Sequence, residues 1–279
     1  MITSHLLIAL ALGFIAGLHA STWGMFKDAP HEGFSWGRYF RSALVGAVMA
    51  AIAYVIAQPN LSGAGTRVVF FGVVYVLERG AIEFWKTFLR NEDQSKYFIP
   101  MQFAVFGRLV HGRGKRLLIG FVIAGVVILA FLAIHFTSRG GAVPRSLILV
   151  LLIGSIGGWI SAFLGAWKDA PIEGFETLKF FRSPVAAGLY ALILSPFTTS
   201  YMAITMAALG YTIATLETYK TFFFPSKPRG KFAGKPILFP DMLRRRQPFI
   251  ALYAAIWVFV LTGFYLALTH PHSGLVSIL

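Results

Sequence analysis

The sequence KDAPHEGFSWGRYFRS at residues 27–42 recurs as KDAPIEGFETLKFFRS at residues 168–183, which is 141 residues further along the chain. The match extends upstream, because fourteen of the thirty positions from 13 to 42 are identical at this offset. A second block, EFWKTF at 83–88, recurs as ETYKTF at 217–222, at an offset of 134. We therefore expect the chain to contain two copies of one structural unit.

The overall composition is typical of a membrane protein. The chain is 57% hydrophobic and 13% charged, with a mean hydropathy of +0.70, whereas soluble domains carry about 25% charged residues. An apolar run of about 20 residues is long enough to cross about 30 Å of hydrocarbon. Eight runs satisfy this condition: 2–24, 41–58, 67–89, 117–137, 145–167, 183–200, 201–223 and 249–269. The sequence predicts an all-α integral membrane protein with about eight transmembrane helices.

The repeat divides these helices into two groups of four. The first unit is expected over 1–140 and the second over 141–279. Because four is an even number, both units enter the membrane in the same direction, so the two are parallel repeats related by an axis along the membrane normal. Both copies of each motif should then face the same side of the membrane.

The basic residues predict which side that is. Of the 25 lysines and arginines, 21 lie in or close to four connections, at 24–41, 86–116, 167–182 and 220–248. By the positive-inside rule these connections are cytoplasmic and both termini lie outside, as in a bacterial-type inner membrane.

The same charge distribution predicts the partners. The concentration of lysine and arginine in the cytoplasmic connections accounts for the net charge of +14. No nucleic-acid partner is therefore expected. Juxtamembrane basic residues attract anionic lipids by about 1 kcal/mol each, which makes membrane lipids the expected partners. A homo-oligomer or a larger membrane complex stays open. The chain has no cysteine, which excludes disulfides and thiolate sites.

Each copy of the KDAP motif forms a charged connection that we call an elbow. The first elbow contains Lys27, Asp28, Glu32 and Arg41, and the second contains Lys168, Asp169, Glu173 and Arg182. A glycine (Gly24 or Gly165) is expected to end the preceding helix. The aspartate should then cap the next helix, with the proline (Pro30 or Pro171) in its first turn.

The aspartate and glutamate of each elbow are four residues apart, so both carboxylates would share one helical face. Three uses of this pair are open. It could be an ion-pair clasp between loops and helix ends, a divalent-metal clamp on a lipid phosphate, or a cytoplasmic gate of a transporter.

The second repeated block places ionisable residues inside a predicted span. Glu78 and Arg79 should lie near the middle of the bilayer and Glu83 in its cytoplasmic half, with Arg79, Glu83 and Lys86 forming a continuous chain of ion pairs. An unpaired charge at mid-depth costs at least about 2.5–3.5 kcal/mol, so these side chains should face protein or a water-filled cavity.

The two halves differ in this block. Glu217 and Lys220 remain in the second half, whereas Thr212 and Ile213 replace Glu78 and Arg79. A buried ion pair that fixes helix register and a substrate or ion pathway are both open interpretations.

Glycines repeat at four-residue spacing in the first and fifth spans, at Gly13 and Gly17 and at Gly154 and Gly158. This spacing permits two helices to approach closely. We expect the contact to lie between the two halves.

Three functions fit these motifs. The first is a transporter or flippase-like protein for an anionic or phosphate-bearing amphiphile or ion, with a polar site between the halves that opens to the cytoplasmic face. The second is a membrane enzyme that acts on an isoprenoid or phospholipid phosphate. The third is a non-catalytic subunit or scaffold.

The enzyme alternative has a limited resemblance behind it. The duplicated DxxxE, at Asp28 and Glu32 and at Asp169 and Glu173, resembles the paired aspartate-rich motifs of membrane prenyltransferases, which implies a magnesium ion that holds a diphosphate. The NDxxDxxxD-type run of that family is absent. No metal site is predicted otherwise, and we favour the transporter over an enzyme.

Overall fold

The computed structural model describes residues 4–139, 145–225 and 230–276, and this part of the chain is almost entirely helical. The helices are α1 (Ser4–Glu32), α2 (Trp36–Ala57), α3 (Ala64–Phe84), α4 (Arg113–Arg139), α5 (Leu147–Gly154), α6 (Ile156–Glu173), α7 (Thr177–Leu194), α8 (Tyr201–Phe222), α9 (Met242–Arg245) and α10 (Pro248–Thr269). The unit boundary expected between 140 and 141 lies outside the described residues.

Six helices in the described ranges are long and apolar enough to cross a membrane: α1, α2, α4, α5 continued by α6, α7 continued to Phe197, and α9 continued by α10. Helices α4 and α10 leave most of their apolar side chains exposed, as expected for surfaces that face lipid. The all-α membrane class is therefore supported, with six candidate spans against the eight that we expected.

The other two predicted spans correspond to α3 and α8, which are also long helices but do not reach the same hydropathy. They carry the ionisable residues of the second repeated block and pack against each other. Gly72 and Gly210 form the crossing, because a Cβ on Gly210 would lie 2.1 Å from the Gly72 carbonyl oxygen. Helix α7 is followed by a 3-10 turn at Ser195–Phe197, and α8 begins at Tyr201, at the predicted boundary between the two spans.

The close contacts of the repeated glycines lie within each half, so the prediction that they join the two halves is wrong. A Cβ on Gly17 would lie 2.0 Å from the Ser42 carbonyl oxygen of α2, and a Cβ on Gly158 would lie 2.5 Å from that of Ser183 in α7. Each elbow thus connects two helices that are in close contact along their length.

The elbows also differ from the expected N-caps. Helix α1 continues through Pro30 to Glu32, and α6 continues through Pro171 to Glu173. The bends come at Gly33 (φ +72°) and Gly174 (φ +84°), in the left-handed region that glycine tolerates best. The aspartates therefore lie in the last two turns of a helix and do not cap the next one.

A contact from Arg246, which directly follows α9, compensates for the hydrogen bond lost at Pro30. Proline has no backbone N–H to donate four residues back, which leaves the Phe26 carbonyl free. Arg246 donates from Nη1 to this oxygen at 2.7 Å. The Pro30 carbonyl in turn accepts from the backbone N–H groups of Leu238 and Phe239.

Two loops complete this end of the bundle. The first loop, residues 90–112, contains a hairpin of β1 (Ala104–Val105) and β2 (Arg108–Leu109). The second loop comprises residues 230–241. They touch each other, since the Phe98 N–H donates to the Lys231 carbonyl at 2.7 Å. The basic connections thus meet at one end of the molecule, which we call the basic face.

Candidate functional site

A cavity of about 370 Å³ opens at the basic face. Helices α1 and α3 of the first half and α6, α7 and α8 of the second contribute to its wall. The basic residues that line it are Lys27, Arg79, Lys86, Lys168, Lys179, Arg182, Lys220 and Lys231, and the acidic ones are Asp28, Glu83, Asp169, Glu176 and Glu217. Eight basic against five acidic side chains leave a formal excess of three positive charges, which favours an anionic guest.

Five of the six residues predicted for a pathway line this cavity, and Glu78 is the exception. Its side chain is fully buried and accepts from Arg79 Nε at 2.8 Å. Glu83 instead pairs with Lys86 at 3.1 Å and its side chain is 48% exposed. The predicted chain from Arg79 through Glu83 to Lys86 is therefore interrupted, because Arg79 pairs with the glutamate beside it in sequence. Glu78 fits the structural ion pair and Glu83 fits the pathway.

Glu217 connects the two halves through the cavity wall. Its carboxylate accepts from Lys220 of the same helix at 2.8 Å and from Lys27 of the first elbow at 3.2 Å. The Lys27 ammonium also lies 4.9 Å from the centre of the Trp23 ring, in cation–π range. The acidic residue that the second half retains is thus part of the contact between halves.

The carboxylates of both elbows bind lysines. Lys231 Nζ lies 3.0 Å from Asp28 Oδ2 and 3.1 Å from Glu32 Oε1. Lys179 Nζ lies 3.6 Å from Asp169 Oδ2 and 2.5 Å from Glu173 Oε2. This is the arrangement of the clasp. Throughout the described ranges, no three histidine, aspartate or glutamate side chains come together as metal ligands.

Two cations in the cavity wall form no salt bridge with a carboxylate among the described residues. Lys168 Nζ has Met101 Sδ as its hydrogen-bond acceptor, at 3.6 Å. The Nε of Arg182 is buried and makes no hydrogen bond. A buried donor without an acceptor is costly, so an oxyanion placed in the cavity would be stabilised by both groups.

The remaining elbow residues lie outside this cavity. Glu173 pairs with Lys179 beside it. Glu32 and Arg41 line a smaller, adjacent cavity of about 110 Å³, which shares Trp23, Asp28, Arg79, Lys86 and Lys231 with the larger one.

Each loop covers the elbow of the other half. In the first loop, the Ala104 carbonyl accepts from Trp167 Nε1 at 3.1 Å, next to the second elbow. In the second loop, the Pro236 carbonyl accepts from His31 Nδ1 at 2.8 Å. The last long helix, α10, packs against α1 and α3 of the other half, whereas α4 contacts both α8 and the end of α3 in its own half.

Glu92 and Tyr97 connect the first loop to the first elbow. The Tyr97 hydroxyl lies 3.1 Å from Glu32 Oε1 and 3.0 Å from Glu92 Oε2. Burial, followed by the charge of Glu32, raises the pKa of Tyr97. Burial opposes ionisation of Glu92, but the hydrogen bond from Lys96 and the charge of Arg90 outweigh it and lower the pKa of Glu92. The junction therefore keeps its carboxylates charged at neutral pH.

Lys179 and Lys231 both bind elbow carboxylates but were not among the predicted site residues. One signal was present for Lys179, because at the offset of 141 it corresponds to Arg38 and thus conserves a basic residue in the repeat. For Lys231 no local pattern exists, since it reaches Asp28 and Glu32 across about 200 residues of sequence.

Comparisons with known protein families, with curated proteins and with solved structures found no match to this chain. The function is therefore argued from the geometry of the site.

Proposed function

We propose that this protein is a transporter or flippase-like membrane protein that binds an anionic, phosphate-bearing amphiphile in the 370 Å³ cavity. The observation that carries the proposal is the wall of this cavity. Both halves contribute to it, and two of its cations, Lys168 and Arg182, form no salt bridge among the described residues. A phosphate group would supply the missing acceptors.

The edge of the cavity supports an amphiphile over a free ion. Phe175 lines the cavity and is 63% exposed, and the neighbouring Phe181 is 45% exposed. A charged wall thus continues into an apolar surface. A headgroup in the cavity could keep its acyl chains in the bilayer beside α7.

In this proposal α3 and α8 complete eight spans, arranged as two parallel units, with both termini outside and the basic face in the cytoplasm. The contact of α3 with α8 and the exchanged loops support a pseudo-twofold arrangement about the cavity. The elbows act as gates. Breaking the Lys231 clasp would release the second loop from the first elbow, and breaking the Lys179 clasp would free the end of α6 from α7. Anionic lipids of a bacterial-type inner membrane are the proposed partners.

The magnesium-dependent alternative receives less support. The elbow carboxylates resemble an aspartate-rich motif only in spacing, since a lysine ammonium lies between the two carboxylates of each pair. A scaffold would need neither the cavity nor its unpaired cations, so we do not favour it.

Transbilayer movement of a labelled lipid tests the proposal. Purified protein is reconstituted in phosphatidylcholine vesicles that contain a trace of tail-labelled phosphatidylglycerol, and bleaching by an impermeant reductant reports lipid that reaches the outer leaflet. We expect accelerated exchange with the wild type and slower exchange with a Lys168→Gln, Arg182→Gln double variant. The matched control is Lys115→Gln, which removes an exposed charge from the basic face outside the cavity. Exchange no faster than in protein-free vesicles would refute the proposal.

A further inference from the structure

The smaller cavity, of about 110 Å³, lies in the first half between the end of α1, the start of α2 and the end of α3. Six basic side chains and two acidic ones line it. It is far below the roughly 300–1,000 Å³ of pockets that take drug-sized ligands. Its size suits a single small polar group.

This cavity is the repeat counterpart of part of the larger one. Fifteen residues between Ala20 and Ser42 line it, and for thirteen of them the residue 141 positions later lines the larger cavity. The correspondence continues at the offset of 134, where Ile82 matches Leu216 and Lys86 matches Lys220. Both cavities therefore occur at the same place in their half of the molecule.

The key side chain is Arg41, the counterpart of Arg182. In the described part of the chain no carboxylate pairs with Arg41, and its buried Nε makes no hydrogen bond, as for Arg182. Its guanidinium lies 4.6 Å from the centre of the Trp85 ring, and that of Arg90 lies 5.2 Å from the same centre. The Nε of Arg90 is also buried without a partner. Two guanidinium groups are thus held against one indole ring, which brings like charges together.

The acidic residues of this cavity do not neutralise that pair. Asp28 and Glu32 both bind Lys231. Arg90 forms an ion pair with Glu92 through Nη1, at 2.6 Å, which leaves its Nε free. The site therefore offers unsatisfied N–H donors on a positively charged wall, and guanidinium groups match the geometry of oxyanions.

We propose that the smaller cavity is a second binding site for one phosphate-type oxyanion, with Arg41 as the principal contact and Arg90 as its neighbour. The group can arrive as free phosphate or as the headgroup of an anionic lipid. The two cavities are adjacent and share Trp23, Asp28, Arg79, Lys86 and Lys231, but Arg41 and Arg90 line only the smaller one. The proposal does not require that the protein transport anything.

Trp85 provides a local reporter. Its fluorescence should change when an oxyanion draws Arg41 and Arg90 away from the ring. Full-length protein in phosphatidylcholine nanodiscs is titrated with inorganic phosphate, and in a second arm it is placed in nanodiscs with increasing phosphatidylglycerol. The arm that changes the emission identifies the source, and the Trp85→Phe variant subtracts the other tryptophans.

We expect Arg41→Gln to weaken binding by about tenfold or more, as for loss of a charged hydrogen bond. Arg41→Lys, which keeps the charge and is the safer variant for folding, should weaken it less. The matched control is Arg182→Gln, which should leave the Trp85 signal unchanged even where it impairs the central cavity. Binding that persists unchanged in Arg41→Gln, or a wild type without a Trp85-dependent response in either arm, would overturn the proposal.

Discussion

Removal of the Lys231 ammonium should destabilise the protein more than any other single lysine change at the basic face. Its Nζ bridges Asp28 and Glu32 at 3.0 and 3.1 Å, and the three side chains are only 12%, 20% and 18% exposed. In Lys231→Ala the two carboxylates would lose the salt-bridge partner that holds them together. Breaking a buried ion pair costs about 3–5 kcal/mol, and the residual exposure reduces this to about 2–4 kcal/mol.

Thermal unfolding in one detergent, followed by tryptophan fluorescence, measures the effect. At about 2–4 °C per kcal/mol for a chain of this size, the midpoint should fall by about 5–15 °C. Lys179→Ala is the matched comparison, because it removes the lysine of the other clasp, whose side chain is 32% exposed. Its cost should stay near 1 kcal/mol.

A second-site variant separates charge from packing. Lys231→Ala combined with Glu32→Gln removes one of the opposed carboxylates, so it should recover part of the lost stability. If Lys231→Ala and Lys179→Ala shift the midpoint equally, or if the double variant is the sum of its parts, the electrostatic account of the clasp is refuted.

Three further predictions concern other contacts of the molecule. Glu217→Gln should cost about 2–3 kcal/mol of stability, because the Glu217 carboxylate has two lysine partners. Glu83→Gln should cost less than about 1 kcal/mol, because the Glu83 side chain is half exposed and has one lysine partner; equal shifts of the unfolding midpoint would contradict this. Gly210→Ala should destabilise the protein by about 3 kcal/mol or more, because the added Cβ would overlap the backbone of α3. Gly80→Ala, which has open space around the added Cβ, should be neutral or stabilising in the same thermal unfolding measurement. Folding lowers the pKa of Glu92 from 4.5, so the stability that the ionised Glu92 contributes is complete above that value and disappears as the pH falls through the lower folded-state pKa. The difference in unfolding midpoint between the wild type and Glu92→Gln should therefore be constant from pH 7 to about 5.5 and shrink below about 4.5. A difference that does not change with pH would refute this prediction.

The helices of this fold were largely predictable from hydropathy. The extensions of α1 and α6 by about two turns were not, because a proline and an aspartate in sequence favour a helix start, as at Pro30 and Asp28. At Pro30 a tertiary contact supports the continued helix, since Arg246 satisfies the carbonyl that the proline leaves free. A sequence pattern contains no information about a donor more than 200 residues away.

The candidate site was predictable where the repeat marked it. The motif identified Lys168 and Arg182, and the second block identified Glu83 and Glu217, and all four line the cavity. The pairing was harder to predict. Helical spacing favoured Arg79 with Glu83, but full burial of Glu78 makes the neighbouring arginine its necessary partner, because an unpaired carboxylate there would be too costly.

Each KDAP segment contacts the loop of the opposite half. A substitution in one segment therefore alters a surface that the opposite half must fit. The two segments are held by residues that do not correspond, Lys231 of the second loop and Lys179 of α7, so the same substitution in each should have unequal effects on the fold.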